Sequence, residues 1–248
     1  MQKIYFLWLR QIKKYFRSRS RIIGSLGQPL LFLLALGYGF GSVFAQAGQG
    51  NYLNFLAPGV IGMSIIFTAI FSGMEVIWDR QFGFLKETLV APMPRFHIMI
   101  GRTLGGATVA TMQGVIVMLL SLAFGFHPLN WWLVLPAVGV MFLVALLFTS
   151  LGTMVASLLD DMQGFQLIMN FLVMPLFFLS GALFPLQGLP ALLAILARID
   201  PLSYGIDALR VLLINAGHYG LGTDLAVLSA VTLAFVWLGA VFFRRLQV

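Results

Sequence analysis

Few residues in this sequence have side chains suited to catalysis, and their spacing argues against most active sites. The 248 residues include eight Asp and Glu, three His and no Cys. The histidines, His97, His127 and His218, are far apart and lack paired spacings such as HExxH, which argues against a metal site. No Gly-x-x-x-x-Gly-Lys-[Ser/Thr] loop, the backbone cradle for nucleotide phosphates, occurs. We therefore expect no catalytic residues, no metal, no bound cofactor and no ATP hydrolysis by this chain.

The eight carboxylates are predicted at or beyond the ends of long apolar runs. They are Glu75, Asp79, Glu87, Asp160, Asp161, Asp200, Asp207 and Asp224. Ion-coupled carriers keep ionisable groups within their spans, so a secondary transporter is a less favoured class. Glu75 lies nearest to the interior of a run. It is either a buried partner of Arg80 or Arg102 near a cytoplasmic mouth, or a residue at the water boundary.

Composition shows which elements must position these residues. The chain is 60% hydrophobic and 9% charged, with mean hydropathy +0.97, which indicates an integral membrane protein. A helical crossing takes about 20 residues. The apolar runs and their turn-like breaks predict six spans, at 22–44, 55–77, 101–125, 133–158, 164–184 and 223–243. The first run is longer than the core of a secretory signal, about 7–15 residues, which favours an uncleaved first span.

Basic residues are distributed asymmetrically around these predicted spans. Of 15 Lys and Arg, thirteen precede the first span, flank the segment between spans 2 and 3, or follow the last span. The other two are Arg198 and Arg210. By the positive-inside rule, both termini and the segment between spans 2 and 3 face the cytoplasm. The net charge of +7 then reflects topology and anionic lipid headgroups rather than nucleic acid.

The first 21 residues have helical periodicity. Lys3, Arg10, Lys14, Arg17 and Arg21 form one stripe, and most of the aromatic and aliphatic side chains lie opposite. This pattern favours an amphipathic helix in the plane of the headgroups. The alternative is a basic anchor that only fixes orientation.

Five charged residues lie in the short segment WDRQFGFLKETLVAPMPR, residues 78–95. Asp79 is predicted to cap a short helix that places Phe82, Leu85 and Leu89 on one side, before two prolines end it. Such a helix would offer a soluble partner an apolar contact surface. The alternative is a solvated loop that obeys the positive-inside rule.

Two short apolar pieces, 191–197 and 206–214, precede the last predicted span. Each is about half as long as a membrane crossing. Non-helical backbone at membrane depth needs cover from protein or a water-filled cavity, so 186–215 is predicted to be a helix pair that re-enters the outer leaflet. The alternative is a surface loop with amphipathic helices.

Two motifs resemble the membrane subunits of ABC-2 type exporters, the permeases of antibiotic-efflux, lipo-oligosaccharide and polysaccharide export systems. Phe84-Leu85-Lys86-Glu87-Thr88-Leu89-Val90-Ala91-Pro92, followed by Arg95, looks like the family's coupling helix. Pro201-Leu202-Ser203-Tyr204-Gly205-Ile206-Asp207-Ala208-Leu209-Arg210 is similar to its Pro-aliphatic-x-[Tyr/His/Arg]-x5-Arg signature. The hydropathy layout is similar over nearly the whole chain.

The resemblance implies an all-α membrane protein with one transmembrane domain over residues 1–248. Its parts would be an interfacial helix at 1–21, spans 1–5 within 22–184, an outer re-entrant segment at 185–215 and span 6 at 223–243. Phe84, Leu85, Lys86, Glu87, Leu89, Pro92 and Arg95 would couple the chain to an ATPase subunit. Pro201, Tyr204 and Arg210 would help form the outer gate, and Glu75 lies at the predicted cytoplasmic mouth.

The resemblance also implies partners and a transport role. Two permease copies, as a homodimer in our expectation, would pair with two ATPase subunits that use ATP and Mg. We expect export of an amphipathic small molecule or lipid-linked compound across a bacterial inner membrane, because no large domain interrupts the predicted spans. A polysaccharide or lipo-oligosaccharide is the alternative cargo.

Overall fold

The computed structural model describes residues 2–41, 51–82 and 94–244. Across those ranges every regular element is a helix. Six helical stretches are long and apolar enough to cross a membrane: Ile22–Gly39, Tyr52–Gln81, Phe96–Ala123, Trp131–Ala156, Met162–Leu179 and Leu221–Phe243. The prediction of an all-α, six-span, multi-pass membrane protein is confirmed, and we number the spans in that order.

The first span is preceded by a separate helix. Helix α1 covers Gln2–Arg17, and α2 covers Arg19–Leu31. A π-helical turn at Phe32–Leu36 and a short helical segment at Gly37–Gly39 complete span 1. The predicted helix over residues 1–21 is therefore divided at Ser18, and its last residues belong to the helix of span 1.

The remaining helices follow in chain order. They are α3 (Tyr52–Ser72), α4 (Met74–Gln81), α5 (Arg95–Ala123), α6 (Val134–Ala156), α7 (Met162–Leu179), α8 (Ala191–Ile199), α9 (Pro201–Ile214) and α10 (Leu221–Arg244). A 3-10 turn at Trp131–Leu133 leads into α6, and span 2 consists of α3 and α4 together.

Polar side chains fix several of these helix ends. Asn51 accepts a hydrogen bond from the Leu53 amide at the start of α3, and Asp161 accepts one from the Gly164 amide at the start of α7. Each cap satisfies an amide that has no partner within its helix. Asn215 ends α9 in the left-handed conformation, which asparagine tolerates better than most residues.

Spans 2, 3 and 4 form the centre of the helix bundle. In their most apolar stretches 67%, 56% and 50% of residues are buried, against 17%, 22% and 22% in spans 1, 5 and 6. The core is apolar and includes Leu56, Ile65, Met141 and Phe148. Spans 1, 5 and 6 therefore present most of their surface outward in the single chain.

Glycines bring span 2 and span 4 into direct backbone contact. A Cβ atom at Gly73 would lie 2.4 Å from the Gly152 carbonyl carbon, and one at Gly152 would lie 2.5 Å from the Ile70 oxygen. Real side-chain atoms do not tolerate such distances. This contact fixes the position of the junction between α3 and α4, and hence of the polar residues on α4.

Helix α1 packs along α5, the helix of span 3. A Cβ atom at Gly105 would lie 2.7 Å from Gln11 Cβ, so the missing side chain makes room for α1. The Trp8 indole N–H donates to Thr108 Oγ1 at 2.9 Å, and the Tyr15 hydroxyl donates to Gln113 Oε1 at 2.6 Å. These contacts attach α1 to span 3 through its aromatic side chains.

The predicted capping role of Asp79 is wrong. Asp79 lies within α4, which continues the span 2 helix as far as Gln81. Its carboxylate pairs with Arg102 on α5 instead of capping a helix start. The ion pair compensates the buried charge of Asp79 inside the bundle, so the span 2 helix can continue past this residue.

Two short helices occupy the predicted outer segment, and they differ in burial. Helix α8 exposes Leu192, Ile195 and Ile199, whereas α9 is buried along most of its length against spans 2, 4 and 6. The existence of both helices agrees with the prediction. Re-entry into the outer leaflet stays a prediction.

Candidate functional site: two polar clusters at opposite ends of span 2

The first cluster, here called the α4 cluster, consists of Glu75, Asp79 and Arg80 with their partners on other helices. Asp79 forms an ion pair with Arg102 on α5, and Arg10 on α1 lies 3.8 Å from its other oxygen. Asp79 and Arg102 are both buried. One carboxylate thus connects the end of span 2 to span 3 and to α1.

Glu75 connects the same helix to α1 through a different cation. Lys14 Nζ lies 3.1 Å from Glu75 Oε1, and the Glu75 side chain is only 14% exposed. The two arginines considered as its partners pair elsewhere, Arg80 with Asp160 and Arg102 with Asp79. Glu75 therefore has an ionic partner, as one interpretation of the sequence held, but that partner is a lysine of the N-terminal helix.

Arg80 extends the α4 cluster to the connection between spans 4 and 5. Its guanidinium pairs with the Asp160 carboxylate and donates to the Leu159 carbonyl at 3.4 Å. The Gln81 side chain donates to the Asp160 carbonyl at 3.1 Å. Helix α4 is thus held by α1, by span 3 and by the loop before span 5.

Most of the residues predicted to contact an ATPase lie outside the described residues. Phe84, Leu85, Lys86, Glu87, Leu89 and Pro92 belong to 83–93, and Arg95 is the first residue of α5. The segment that contains them begins after α4 and ends at α5, the two helices that Asp79 and Arg102 join. Their coupling role stays a prediction.

The second cluster, here called the α9 cluster, has Arg210 at its centre. Arg210 is buried and donates to the carbonyl oxygens of Gly181 at 2.7 Å, Ala182 at 3.2 Å and Phe55 at 3.3 Å. Its guanidinium carbon also lies 3.8 Å from the centre of the Phe55 ring. Desolvation by burial lowers the pKa of Arg210 to about 10, an effect opposed by the nearby Asp207 carboxylate, so the side chain stays charged at neutral pH.

The carboxylates of α9 and its N-cap bind backbone amides. Asp207 accepts hydrogen bonds from the His218 amide at 2.7 Å and the Tyr219 amide at 2.8 Å, which holds the turn before span 6. Asp200 caps α9 by accepting from the Leu202 amide at 2.8 Å. Burial raises the pKa of Asp200 to about 8, although its hydrogen bonds act in the opposite direction.

Tyr204 and Pro201 complete this cluster. The Tyr204 hydroxyl donates to the Arg198 carbonyl at 2.8 Å, and its ring stacks on Tyr219 at 4.7 Å. Pro201 lies in the first turn of α9, where a missing amide hydrogen costs nothing. The structure thus brings Pro201, Tyr204 and Arg210 into one buried helix, whereas Glu75 lies near the other end of span 2.

Sequence comparison identifies the family to which the chain with these two clusters belongs. The profile of the ABC-2 type transporter family matches residues 2–214, which include all of α1 to α9. The chain belongs to the ABC-2 type transporter family. This result confirms the resemblance found in the sequence.

Relatives of this ABC-2 chain cover most of its length. Nodulation protein J of Rhizobium leguminosarum bv. trifolii is 31% identical over 201 residues, which is 80% of this chain and 75% of that protein. The putative transport permease ycf38 of Cyanophora paradoxa is 29% identical over 219 residues, 86% of this chain and 74% of that protein. Nodulation protein J of Rhizobium meliloti (strain 1021) is 26% identical over 228 residues, which is 91% of this chain and 86% of that protein. The family and the permease name of one relative agree with a membrane transport subunit that is not itself an enzyme.

The ABC-2 fold also contains a cavity that the sequence did not reveal. It has a volume of about 200 Å³ and lies between α2 and α3. Its lining combines the polar side chains of Ser25, Gln28, Ser64 and Thr68 with the aromatic rings of Phe67 and Phe71. The available signal was the spacing of Ser25 and Gln28, and of Ser64 and Thr68, three and four residues apart on apolar helices.

Proposed function

We propose that this chain is the permease subunit of an ATP-driven ABC-2 exporter that moves an amphipathic small molecule or lipid-linked compound out of the cell. The observation that carries the proposal is the family match over residues 2–214 in a chain without a nucleotide-binding loop. The energy for transport would then come from Mg-dependent ATP hydrolysis in a separate ATPase subunit. The family supports such a partner.

The cavity between α2 and α3 supports an amphipathic cargo. Ser25 and Ser64 already donate to the carbonyls of Ile22 and Ile61, so their oxygens remain as hydrogen-bond acceptors. Phe67 and Phe71 supply the apolar side of the lining. Binding sites for small molecules typically combine such apolar walls with a few polar groups that set orientation.

The arrangement proposed for coupling follows from the α4 cluster. Phe84, Leu85, Lys86, Glu87, Leu89, Pro92 and Arg95 would contact the ATPase, and movement of their segment would reach spans 2 and 3 through α4 and α5. Asp79 and Arg102 join these two helices, which supports transmission of movement between them. Pro201, Tyr204 and Arg210 would hold the outer gate in place.

Two copies of the chain with two ATPase subunits form the proposed complex. Leu167 and Phe171 of span 5 are exposed by 72% and 82% in the single chain, and either lipid or a second copy would cover them. The proposed location is a bacterial inner membrane with both termini in the cytoplasm, as the distribution of basic residues predicts. Because the sequence has no cysteine, single introduced cysteines at Ser18 and Ala216 would report the orientation by labelling from each side.

The test of transport uses proteoliposomes that contain the chain with an ABC ATPase that co-purifies with it. We expect outward transport of an amphipathic dye with ATP and Mg, and none when the ATPase is left out. Transport driven by a proton gradient without any ATPase would overturn the proposal.

The double variant Leu85→Ala/Leu89→Ala tests the coupling segment. We expect normal membrane insertion, with loss of ATPase co-purification or of ATP-dependent transport. A matched control is Leu192→Ala/Ile195→Ala, which removes two exposed apolar side chains from α8. ATPase binding and transport at the level of the control would contradict the coupling role.

A further inference from the structure

A basic cleft lies where α1 meets α2. It has a volume of about 840 Å³, and five cationic side chains line it. They are Arg10, Lys13, Lys14, Arg17 and Arg19. So many like charges around one cleft repel each other unless anions accompany them.

Only part of this charge is balanced by the protein. Lys14 pairs with Glu75 at 3.1 Å, and Arg10 lies 3.8 Å from Asp79, whose other oxygen is bound by Arg102. Within the part of the chain that the structure describes, Lys13, Arg17 and Arg19 form no ion pair. The cleft therefore has a surplus of about three positive charges to offer to a ligand.

The position of the cleft places that charge at the edge of an apolar span. Span 1 begins at Ile22, three residues after Arg19, which is about 4.5 Å along a helix. The distance fits a cation at the level of the phosphate groups while the next turn of helix enters hydrocarbon. Headgroup phosphates are then the nearest anions in the bilayer.

Apolar side chains beside the cations indicate that the anion carries an acyl chain. Phe6 and Leu9 line the cleft together with the basic residues, and Phe6 is 66% exposed. Ile23, one turn beyond Arg19, is 71% exposed. An acidic surface of a soluble protein would leave these side chains facing water, whereas a phospholipid covers them with hydrocarbon.

We propose that this cleft binds the phosphate headgroup of an anionic phospholipid from the surrounding bilayer, with the acyl chains against Phe6 and Ile23. Arg17 and Arg19 hold the phosphate by charge-assisted hydrogen bonds. Arg10 and Lys14 lie in the same cleft and also contact α4, so the bound lipid lies next to the α4 cluster. This site does not depend on which cargo the chain transports.

The test measures lipid binding to the purified full-length chain in a neutral detergent. Fluorescent phosphatidylglycerol is titrated alongside phosphatidylcholine with identical acyl chains. We expect phosphatidylglycerol to bind about tenfold more tightly, and Arg17→Gln/Arg19→Gln to remove about that factor. Both arginines are exposed, so their replacement leaves the helix packing intact.

Two further variants separate a local site from net charge. Arg244→Gln/Arg245→Gln removes two charges after span 6 and is expected to change phosphatidylglycerol affinity by no more than about twofold. Arg17→Lys/Arg19→Lys keeps the charge and is expected to retain most of the preference. If the Gln double variant elutes as an aggregate, Lys13→Gln alone should weaken binding in the same direction. Equal losses in the cleft and control double variants would overturn the proposal.

Competition decides between a lipid and other anions. Millimolar inorganic phosphate is expected to leave the bound lipid probe in place, and full displacement would show a site for free anions instead. ATPase co-purification is measured with the same variants. Loss of the ATPase together with unchanged phosphatidylglycerol affinity would show a protein docking surface and would also overturn the proposal.

Discussion

The α4 cluster and the α9 cluster lie at opposite ends of span 2 and hold the helices together by different chemistry. In the α4 cluster, side chains of opposite charge meet between helices, as in Asp79 with Arg102 and Glu75 with Lys14. In the α9 cluster, Arg210 and Asp207 bind backbone carbonyls and amides. Asp79 faces two cations, Arg102 and Arg10, so its ionic contacts can shift between partners without leaving the carboxylate unpaired. A guanidinium bound to three carbonyls instead fixes the course of the main chain. The end of span 2 nearest the proposed coupling segment is therefore better suited to rearrangement than the end held by α9.

Removal of Arg210 should have the largest effect on stability. Arg210→Ala removes the donor to the buried carbonyls of Gly181 and Ala182 and the contact with Phe55. We expect the free energy of unfolding to fall by about 3–4 kcal/mol. Denaturant unfolding in detergent measures the change, with Arg198→Ala, an exposed arginine, as the control. Similar stability of the two variants would mean that the carbonyl contacts contribute little.

Loss of charge at Asp79 should have an intermediate effect. Asp79→Asn leaves Arg102 buried without its anion, and we expect a loss of about 2–3 kcal/mol. The double variant Asp79→Asn/Arg102→Gln removes both charges and should recover part of that loss. Additive effects of the two single changes in a double-mutant cycle would show that the pair is not coupled.

The cap of α9 should give the α9 end of the bundle a pH-dependent stability. The pKa of Asp200 is about 8 in the folded chain and near 3.8 when exposed, so between these values the folded state holds a proton that the unfolded state has lost. The free energy of unfolding from this group therefore falls as pH rises through that window. Asp200→Asn keeps a capping side chain and removes the slope, so the variant should gain stability relative to the natural chain between about pH 5 and about pH 8.

A matched control exists for that pH experiment. Asp161 caps α7 in the same way but is exposed, so Asp161→Asn should show no comparable gain. Parallel pH curves for Asp200→Asn and the natural chain would contradict the role of buried Asp200.

The smallest effect is expected at the exposed edge of the α4 cluster. The Asp160 side chain is 90% exposed, so water competes with Arg80 for it. Asp160→Asn should change the free energy of unfolding by less than about 0.5 kcal/mol in denaturant unfolding. A loss as large as that of Asp79→Asn would show that both ion pairs act as one network.

The six spans were predictable from the sequence because long apolar runs are strong signals. Predicted and observed spans differ by a few residues at their ends, as in 133–158 and Trp131–Ala156. Tyr204 and Arg210 were also identifiable from their motif. Their acceptors were not, because the carbonyls of Gly181 and Ala182 belong to every residue type and leave no trace in a sequence.

Ion pairs between distant residues explain the main errors. Asp79 looks like a helix cap when only its neighbours are considered, since its partner Arg102 is on another span. Periodicity places Lys14 on the basic stripe, and it is exposed, but the sequence does not show the contact with Glu75 that forms once α1 packs along α5. The hydroxyls around the cavity between α2 and α3 give a weak signal because single serines and threonines are common in apolar helices.

The contact between Gly73 and Gly152 has a consequence for tolerance of substitution. Any side chain at Gly73 meets the backbone of span 4, and any side chain at Gly152 meets the backbone of span 2. Because each obstacle is main chain, a compensating change at the other position provides no space. In a saturation scan both positions should accept glycine alone. Gly27 and Gly39, where a Cβ atom would have no neighbour within 4 Å, should accept many residues.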